Sequence, residues 1–149
     1  MQLATKIKRF TIKKNATRFE SCKISNSADC NKAGKPFFGS DIGVFESFMV
    51  LMIDRANNTV GYAKISQGGI VGTIVDVKII AKYCLDSLCS AVVLFHNHPS
   101  GNLKPSESDK VITKRIQEAL KLIDVVVLDH IILTEESFYS FADNGFINN

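Results

Sequence analysis

Residues 91–109 of this chain are AVVLFHNHPSGNLKPSESD, an apolar run followed by a polar cluster. The run AVVLF (91–95) is apolar on both faces, which is typical of a strand buried within a sheet. His96 and His98 follow it directly, and because side chains alternate along a strand, their imidazoles can project from the same face. The stretch therefore predicts a buried strand with a polar site at its carboxyl end.

A loop containing glycine and two prolines (99–105) separates these histidines from Asp109. Such a loop can turn the chain back and place the first turn of a following helix beside the strand end. Two imidazoles and one carboxylate suit a catalytic zinc site, which keeps its fourth position for water. The spacing HxHx10D makes His96, His98 and Asp109 candidate metal ligands.

A structural role without metal accounts for part of the same stretch. Ser106 can serve as a helix N-cap, and Asp109 at the third helical position would stabilise the helix N-terminus through the dipole. The histidines could be solvated or could cap backbone groups. These roles leave unexplained why two histidines follow a strand and why Gly101 and Pro105 shape the loop. From the residues alone, a metal site and a polar loop remain alternatives.

Strand and helix patterns extend outward on both sides of this stretch. The segment 25–43, rich in Ser, Asn, Asp, Lys and Gly, indicates either a short helix with loops or a surface connection. The expected strands are FMVLMI (48–53), its antiparallel partner VGYAKI (60–65), an extended stretch 70–74, one or two strands in VVVLDHIIL (125–133) and FYSF (138–141); the expected helices are 76–88 and 106–123. Strands interleaved with helices predict an α/β (α+β) fold with a mixed central β-sheet flanked by helices.

Length and composition limit the protein class. The chain has 149 residues, of which 46% are hydrophobic, enough for one sizeable core and little more. No apolar run approaches the length needed to span a bilayer, and no apolar segment of a signal peptide follows the basic start. The four cysteines show neither CxxC spacing nor the density of a disulfide scaffold, so we expect reduced thiols. We expect a soluble cytoplasmic protein without membrane contact.

The net charge of +3 comes partly from a basic cluster near the N-terminus. Its members are Lys6, Lys8, Arg9, Lys13 and Lys14. An exposed edge strand, with Ile7, Phe10 and Ile12 as its apolar residues and the basic side chains on its solvent side, explains the cluster. A weak contact with the phosphates of DNA is the alternative. We favour the strand, since no nucleic-acid-binding motif accompanies the cluster.

Several metal motifs fail on spacing: HExxH, the HxE with PCxxC of zinc deaminases, and HxHxDH are all absent. The stretch HNHPSGNLKPSESD instead resembles the JAMM motif of the JAB/MPN metalloprotease superfamily, HxHPx6SxxD with a separate upstream glutamate. The segments HNHPSG, VLDHIIL and YSFADNG, with ESFMVLMIDRANNTVG and SQGGIVGTIVD upstream, further resemble the RadC branch of that superfamily. The similarity extends from about residue 41 to 147, without the helix-rich N-terminal region of longer RadC proteins.

This resemblance implies a JAB/MPN (cytidine-deaminase-like) fold and a division of the chain. Residues 1–40 would be a basic N-terminal extension with a strand and a short helix or loop. Residues 41–149 would be the RadC-like JAB/MPN metal-binding domain.

The resemblance also implies roles for individual residues. His96, His98 and Asp109 would bind zinc, which activates a water and polarises a carbonyl. Glu46 would transfer the proton of that water to the leaving amine, and Ser106 would donate a hydrogen bond to the oxyanion. The residues alone do not distinguish Glu46 from three other glutamates, Glu20, Glu107 and Glu118.

The implied function is a zinc-dependent hydrolase that cleaves a peptide or isopeptide bond in an unknown protein or peptide. The alternative is a DNA-repair-associated accessory or DNA-binding protein without proteolytic activity, since RadC proteins have a historical DNA-repair label. A third possibility is a domain that binds metal and cleaves nothing. His130 could support the ligands, although a satisfied core histidine is the favoured interpretation, and Gly68, Gly69 and Gly72 more simply allow tight turns.

Overall fold

The computed structural model of this chain describes residue 9, residues 13–68 and residues 74–148. Arg9, Lys13 and Lys14 are exposed, and their contact with DNA stays a prediction. The predicted features outside the described residues are the N-terminal edge strand with Ile7, Phe10 and Ile12, the basic residues Lys6 and Lys8, the turn residues Gly69 and Gly72, and positions 70–73 of the extended stretch.

Five strands form one mixed sheet in the order β2-β1-β3-β4-β5. The pair β3 and β4 is parallel, and the other neighbouring pairs are antiparallel. The strands are β1 (Ser47–Ile53), β2 (Thr59–Gln67), β3 (Ala91–Asn97), β4 (Val126–Leu133) and β5 (Phe138–Ser140). The predicted mixed central sheet is confirmed, and the stretch predicted as one or two strands forms the single strand β4.

Helical segments cover both faces of the sheet. On one face lie α1 (Ser27–Gly34) and the 3₁₀ turns that follow it (Lys35–Gly43), and on the other lie α2 (Val77–Ser87) and α3 (Glu107–Lys121). Because β1 and β3 lie inside the sheet with both faces covered, all of their residues are buried. This is the environment that their uninterrupted apolar runs predict.

The alternation of side chains along β3 determines what each face receives. Val92 and Leu94 pack in the core beneath α2 and α3, whereas Val93 and Phe95 pack on the opposite face with α1. His96 therefore belongs to the α3 face. The next residue, Asn97, turns towards the 3₁₀ segment.

The segment before β1 contributes to the core of the second face. Ile24, Cys30, Phe38 and Ile42 are buried there, so the alternative of a surface connection is wrong. This packing continues across position 41, and the predicted division of the chain there stays a prediction.

The cysteines and the helices agree with two further expectations from composition. Cys30, Cys84 and Cys89 are buried free thiols, and Cys22 is exposed. Within the described ranges, no helix combines the length and the apolar character needed to cross a bilayer.

Gly34 at the end of α1 tests the packing that supports β3. A Cβ atom on Gly34 would overlap the ring of Phe95, the residue that precedes His96. Overpacking costs about 1–3 kcal/mol and a better helix former regains up to about 1 kcal/mol, so Gly34→Ala should lower the free energy of unfolding by about 1–2 kcal/mol in urea. Lys32→Ala on the exposed side of α1 is the control and should change it by less than about 0.5 kcal/mol. Equal stability of the two variants would contradict the close contact.

Candidate metal centre

The two histidines project from the end of β3 onto the face covered by α3. His96 is the penultimate residue of the strand and is buried, while His98 lies just beyond the strand end and is partly exposed. Their Nε2 atoms are 2.8 Å apart. The structure thus brings together the pair that strand alternation predicts.

Asp109 reaches the same point from the first turn of α3. The Ser106 Oγ accepts a hydrogen bond from the Asp109 N–H (3.1 Å), and the Asp109 Oδ2 accepts one from the Ser106 N–H (2.7 Å). This capping box fixes the carboxylate at the helix N-terminus. Its Oδ1 lies 3.3 Å from the His96 Nε2 and its Oδ2 lies 3.5 Å from the His98 Nε2. The sequence left helix capping and metal binding as alternative roles for Asp109. In the structure Asp109 caps the helix and also lies beside both histidines.

The three side chains fit a tetrahedral metal ion. Their ligand atoms lie within 4.8 Å of one another. With metal–ligand bonds of about 2.0–2.1 Å, neighbouring ligands of tetrahedral zinc are about 3.3 Å apart. The two separations between histidine and carboxylate are close to this value, and the 2.8 Å between the imidazoles would widen by about 0.5 Å.

The electrostatics of the group favour a cation. Burial alone would raise the pKa of Asp109, but hydrogen bonds from His96 and His98 hold it well below its usual range. Burial alone would lower the pKa of His98, but hydrogen bonds to Asp109 and to the Asn102 carbonyl, with the charges of Asp109 and Glu46, raise it. The carboxylate is therefore ionised, and a metal ion that binds here competes with a proton for the His98 imidazole.

The loop after β3 orients His98. Its Nδ1 lies 2.6 Å from the carbonyl oxygen of Asn102, and its backbone N–H donates to the Leu133 carbonyl. Since a carbonyl oxygen only accepts, the Nδ1 of His98 must hold the hydrogen in this contact. The Nε2 atom, which faces Asp109, is then the nitrogen that donates to the carboxylate when it is protonated and that would bind a metal ion when it is not.

His130 lies behind His96 on the neighbouring strand β4. Its Nε2 is 2.7 Å from the His96 Nδ1, and its Nδ1 is 2.6 Å from the Thr113 Oγ1 of α3. The ring is completely buried, and burial, followed by the nearby His96, lowers the pKa of His130 well below its ordinary value. His130 is thus a buried core histidine, as favoured from the sequence, and also a partner of a candidate ligand.

Glu46 immediately precedes β1, and strand pairing places it near the histidines. In the antiparallel register of β1 and β3, Phe48 is opposite His96. The pairing ends at these two residues, and a register continued by two positions would place Glu46 opposite His98 on the same face of the sheet. The charge of Glu46 contributes to the raised pKa of His98, in agreement with this position. The side chain is partly exposed, so the carboxylate is accessible from solvent.

Asn97, between the two histidines, fixes the backbone around Glu46. Its Oδ1 accepts from the Ser47 N–H (2.8 Å), and its Nδ2 donates to the carbonyls of Ile42 and Phe45 (2.7 Å each). The side chain is fully buried. The residues on both sides of Glu46 are therefore tied to the strand that presents the histidines, a connection that the sequence did not predict.

The remaining sequence candidates occupy other positions. Glu20 and Glu118 are exposed, and Glu118 is nine residues beyond Asp109 on α3, or about 13 Å along the helix. Glu107 pairs with Lys110 at 2.8 Å. Glu46 is the glutamate directly before β1, whose Phe48 pairs with His96.

Ser106 is exposed beside Asp109. Because its oxygen accepts the capping hydrogen bond, its hydroxyl hydrogen is free to donate.

Comparisons with known proteins identify relatives of the chain. Residues 24–146 match the family model described as the RadC-like JAB domain. The chain is 44% identical over 123 residues to a UPF0758 protein of Flavobacterium johnsoniae. This match covers 83% of this chain and 53% of that protein. It is 39% identical over 102 residues to the UPF0758 protein YfjY of Escherichia coli, covering 68% of this chain and 64% of YfjY. The chain thus spans about half to two thirds of the length of these relatives.

The buried amide of Asn97 should be a major contributor to stability. Asn97→Ala leaves one backbone N–H and two carbonyls without their partner, and we expect the free energy of unfolding in urea to fall by on the order of 3 kcal/mol. Asn31→Ala is the matched control, because the Asn31 Oδ1 is buried without a hydrogen-bond partner among the described residues. That control should be neutral or slightly stabilising. Similar losses in both variants would show that the three hydrogen bonds of Asn97 contribute nothing specific.

Proposed function

Since this chain belongs to the family of RadC-like JAB domains, we propose that it is a zinc-dependent hydrolase of the JAMM type that cleaves a peptide or isopeptide bond. The observation that supports this proposal is the convergence of His96, His98 and Asp109 from two elements, with Glu46 directly before β1, whose Phe48 pairs with His96. A polar loop that only caps a helix would not require this convergence. The family model covers the segments that contain all four residues.

The ligand set favours zinc. Two imidazoles and one carboxylate are a donor set that catalytic zinc sites use, with the fourth position left for water. Zinc bound by these residues would lower the pKa of a water and polarise the carbonyl that is attacked. His98 and Asp109 retain 15% and 14% of their side-chain exposure, so this side of the group is open to solvent.

Glu46 is placed to act as the general base and acid. It would accept a proton from the attacking water as the water oxygen bonds to the carbonyl carbon. It would then give that proton to the amine as the C–N bond breaks, so that the residue ends in its initial state. Its backbone is held on both sides by Asn97, and its carbonyl accepts a hydrogen bond from the Gly68 N–H (2.8 Å). The backbone of Glu46 is thereby anchored, and its partly exposed side chain would act from this fixed base.

Ser106 is placed to stabilise the developing negative charge. Its backbone and oxygen are fixed by the capping box with Asp109, and its hydroxyl hydrogen would donate to the carbonyl oxygen of the substrate. A donor that is already oriented contributes more in the transition state than one that must be ordered during the reaction. Capping and oxyanion binding thus use different parts of the same hydroxyl group.

The decisive test combines metal content with cleavage. The wild-type chain should retain about one zinc per molecule after loading and desalting, measured by plasma mass spectrometry, and folded His98→Ala and Asp109→Ala should lose it. Glu46→Gln should keep the zinc, because it is not a ligand, yet cleave members of a peptide and isopeptide library at least about 100-fold more slowly.

Three outcomes would contradict this proposal. A folded wild-type chain that retains no zinc would favour the capping role alone. Zinc retention with cleavage by Glu46→Gln equal to wild type would exclude Glu46 as the proton-transfer residue. Zinc retention without cleavage of any library member by the wild type would indicate a metal-binding domain without this activity.

A further inference from the structure

A chain of hydrogen bonds connects the two elements that supply the metal ligands. It runs from the His96 Nδ1 to the His130 Nε2 (2.7 Å), from the His130 Nδ1 to the Thr113 Oγ1 (2.6 Å), and from Thr113 to the backbone carbonyl of Asp109 (2.6 Å). We infer that His130 and Thr113 are positioning residues that fix His96 in the one tautomer able to bind the metal ion. The inference rests on the proposed metal centre and adds to it two residues outside the JAMM pattern.

The direction of each hydrogen bond in this series follows from the bond at Asp109. A backbone carbonyl only accepts, so the single hydrogen of the Thr113 hydroxyl points to Asp109. The Thr113 oxygen can then interact with His130 only as an acceptor. The Nδ1 of His130 must therefore be the protonated nitrogen of that ring.

The hydrogen bond between His130 and His96 fixes the tautomer of His96. The ring of His130 is fully buried and stacks on Phe141 with centroids 4.6 Å apart, an environment in which a charged imidazolium would be costly. Its Nε2 is thus a free acceptor and takes the hydrogen of the His96 Nδ1. His96 thus keeps its hydrogen on Nδ1, and its Nε2, the atom that faces Asp109 and His98, is the nitrogen at which a metal ion would replace a proton.

The geometry leaves His130 little freedom to adopt another orientation. Its ring contacts Phe141 on one side and meets the edge of Phe48 at 5.4 Å. Phe48 is paired with His96 across the sheet, so the same aromatic ring borders both histidines. The direction of the His96 lone pair is therefore determined by residues of β1, β4 and α3 together.

The other histidine ligand has a separate support. His98 donates to the carbonyl of Asn102, which belongs to the loop after β3 and does not involve His130 or Thr113. Loss of the hydrogen bonds through His130 and Thr113 should thus misorient His96 alone among the three ligands. We expect zinc affinity to fall by about 10- to 100-fold, the usual effect of removing such a supporting partner, and not to vanish as it does when a ligand is removed.

The test compares two conservative substitutions at Thr113. Thr113→Val removes the hydroxyl and keeps the shape, whereas Thr113→Ser keeps the hydroxyl. Zinc affinity of the full chain, measured by competition with a chromophoric chelator, should fall about 10- to 100-fold in Thr113→Val and stay within about threefold of wild type in Thr113→Ser. The ¹⁵N chemical shifts of the imidazoles should show His130 protonated at Nδ1 in wild type and Thr113→Ser, and shifted towards the other tautomer in Thr113→Val.

The second variant is His130→Phe, which preserves a ring against Phe141 and removes both hydrogen bonds. It should lower zinc affinity to the same extent as Thr113→Val. Urea unfolding of the zinc-free forms would confirm that each variant is folded. Wild-type zinc affinity in either folded variant, or a wild-type His130 protonated at Nε2, would overturn the inference while leaving the proposed metal centre intact. Failure of the wild-type chain to bind zinc would overturn both.

Discussion

The carboxyl end of β3 places polar side chains inside a hydrophobic core, and the need to give each of them a partner determines the site. His96 and Asn97 are 2% and 0% exposed. A buried polar group without a partner costs about 1–3 kcal/mol, and each of these side chains is hydrogen-bonded. Because they alternate across the sheet, His96 finds its partners on β4 and α3, and Asn97 finds its partners in the segment before β1 and at the first residue of β1. One strand end thereby fixes the positions of elements on both faces.

The parts of the site that are local in sequence could be predicted from it. His96 and His98 are two residues apart on a strand, and Asp109 follows a loop into a helix, so short-range geometry sufficed to group them. Glu46 required more, because it is 52 positions from His98 in the chain. Its place depends on the register of β1 against β3, which neither apolar run defines when both faces are buried. The residues alone therefore left four glutamates open, and the pairing of Phe48 with His96 supports the choice of Glu46 as the proposed proton-transfer residue.

The supporting hydrogen bonds had no signal in the sequence for a similar reason. Asn97 contacts carbonyls 52 and 55 positions away, and His130 contacts residues 17 and 34 positions away. An isolated histidine or asparagine between apolar residues fits a satisfied core position equally well. The distinction lies in which groups the side chain touches, and this depends on strand order and on the docking of α3. The sheet class and the two long helices, in contrast, followed from periodicity alone.

The two sides of the site differ in how firmly their groups are held. The candidate ligands are supported from the core, His96 by His130 and Asp109 by the capping box, so their side chains are already held close together. A preorganised ligand set loses less conformational entropy on binding a metal ion than a flexible one. Glu46 and Ser106 are instead anchored through their backbones and have functional groups that reach solvent. A group that transfers a proton from water to a leaving amine must approach both in turn, so limited freedom of the Glu46 side chain on a fixed backbone suits that role better than burial.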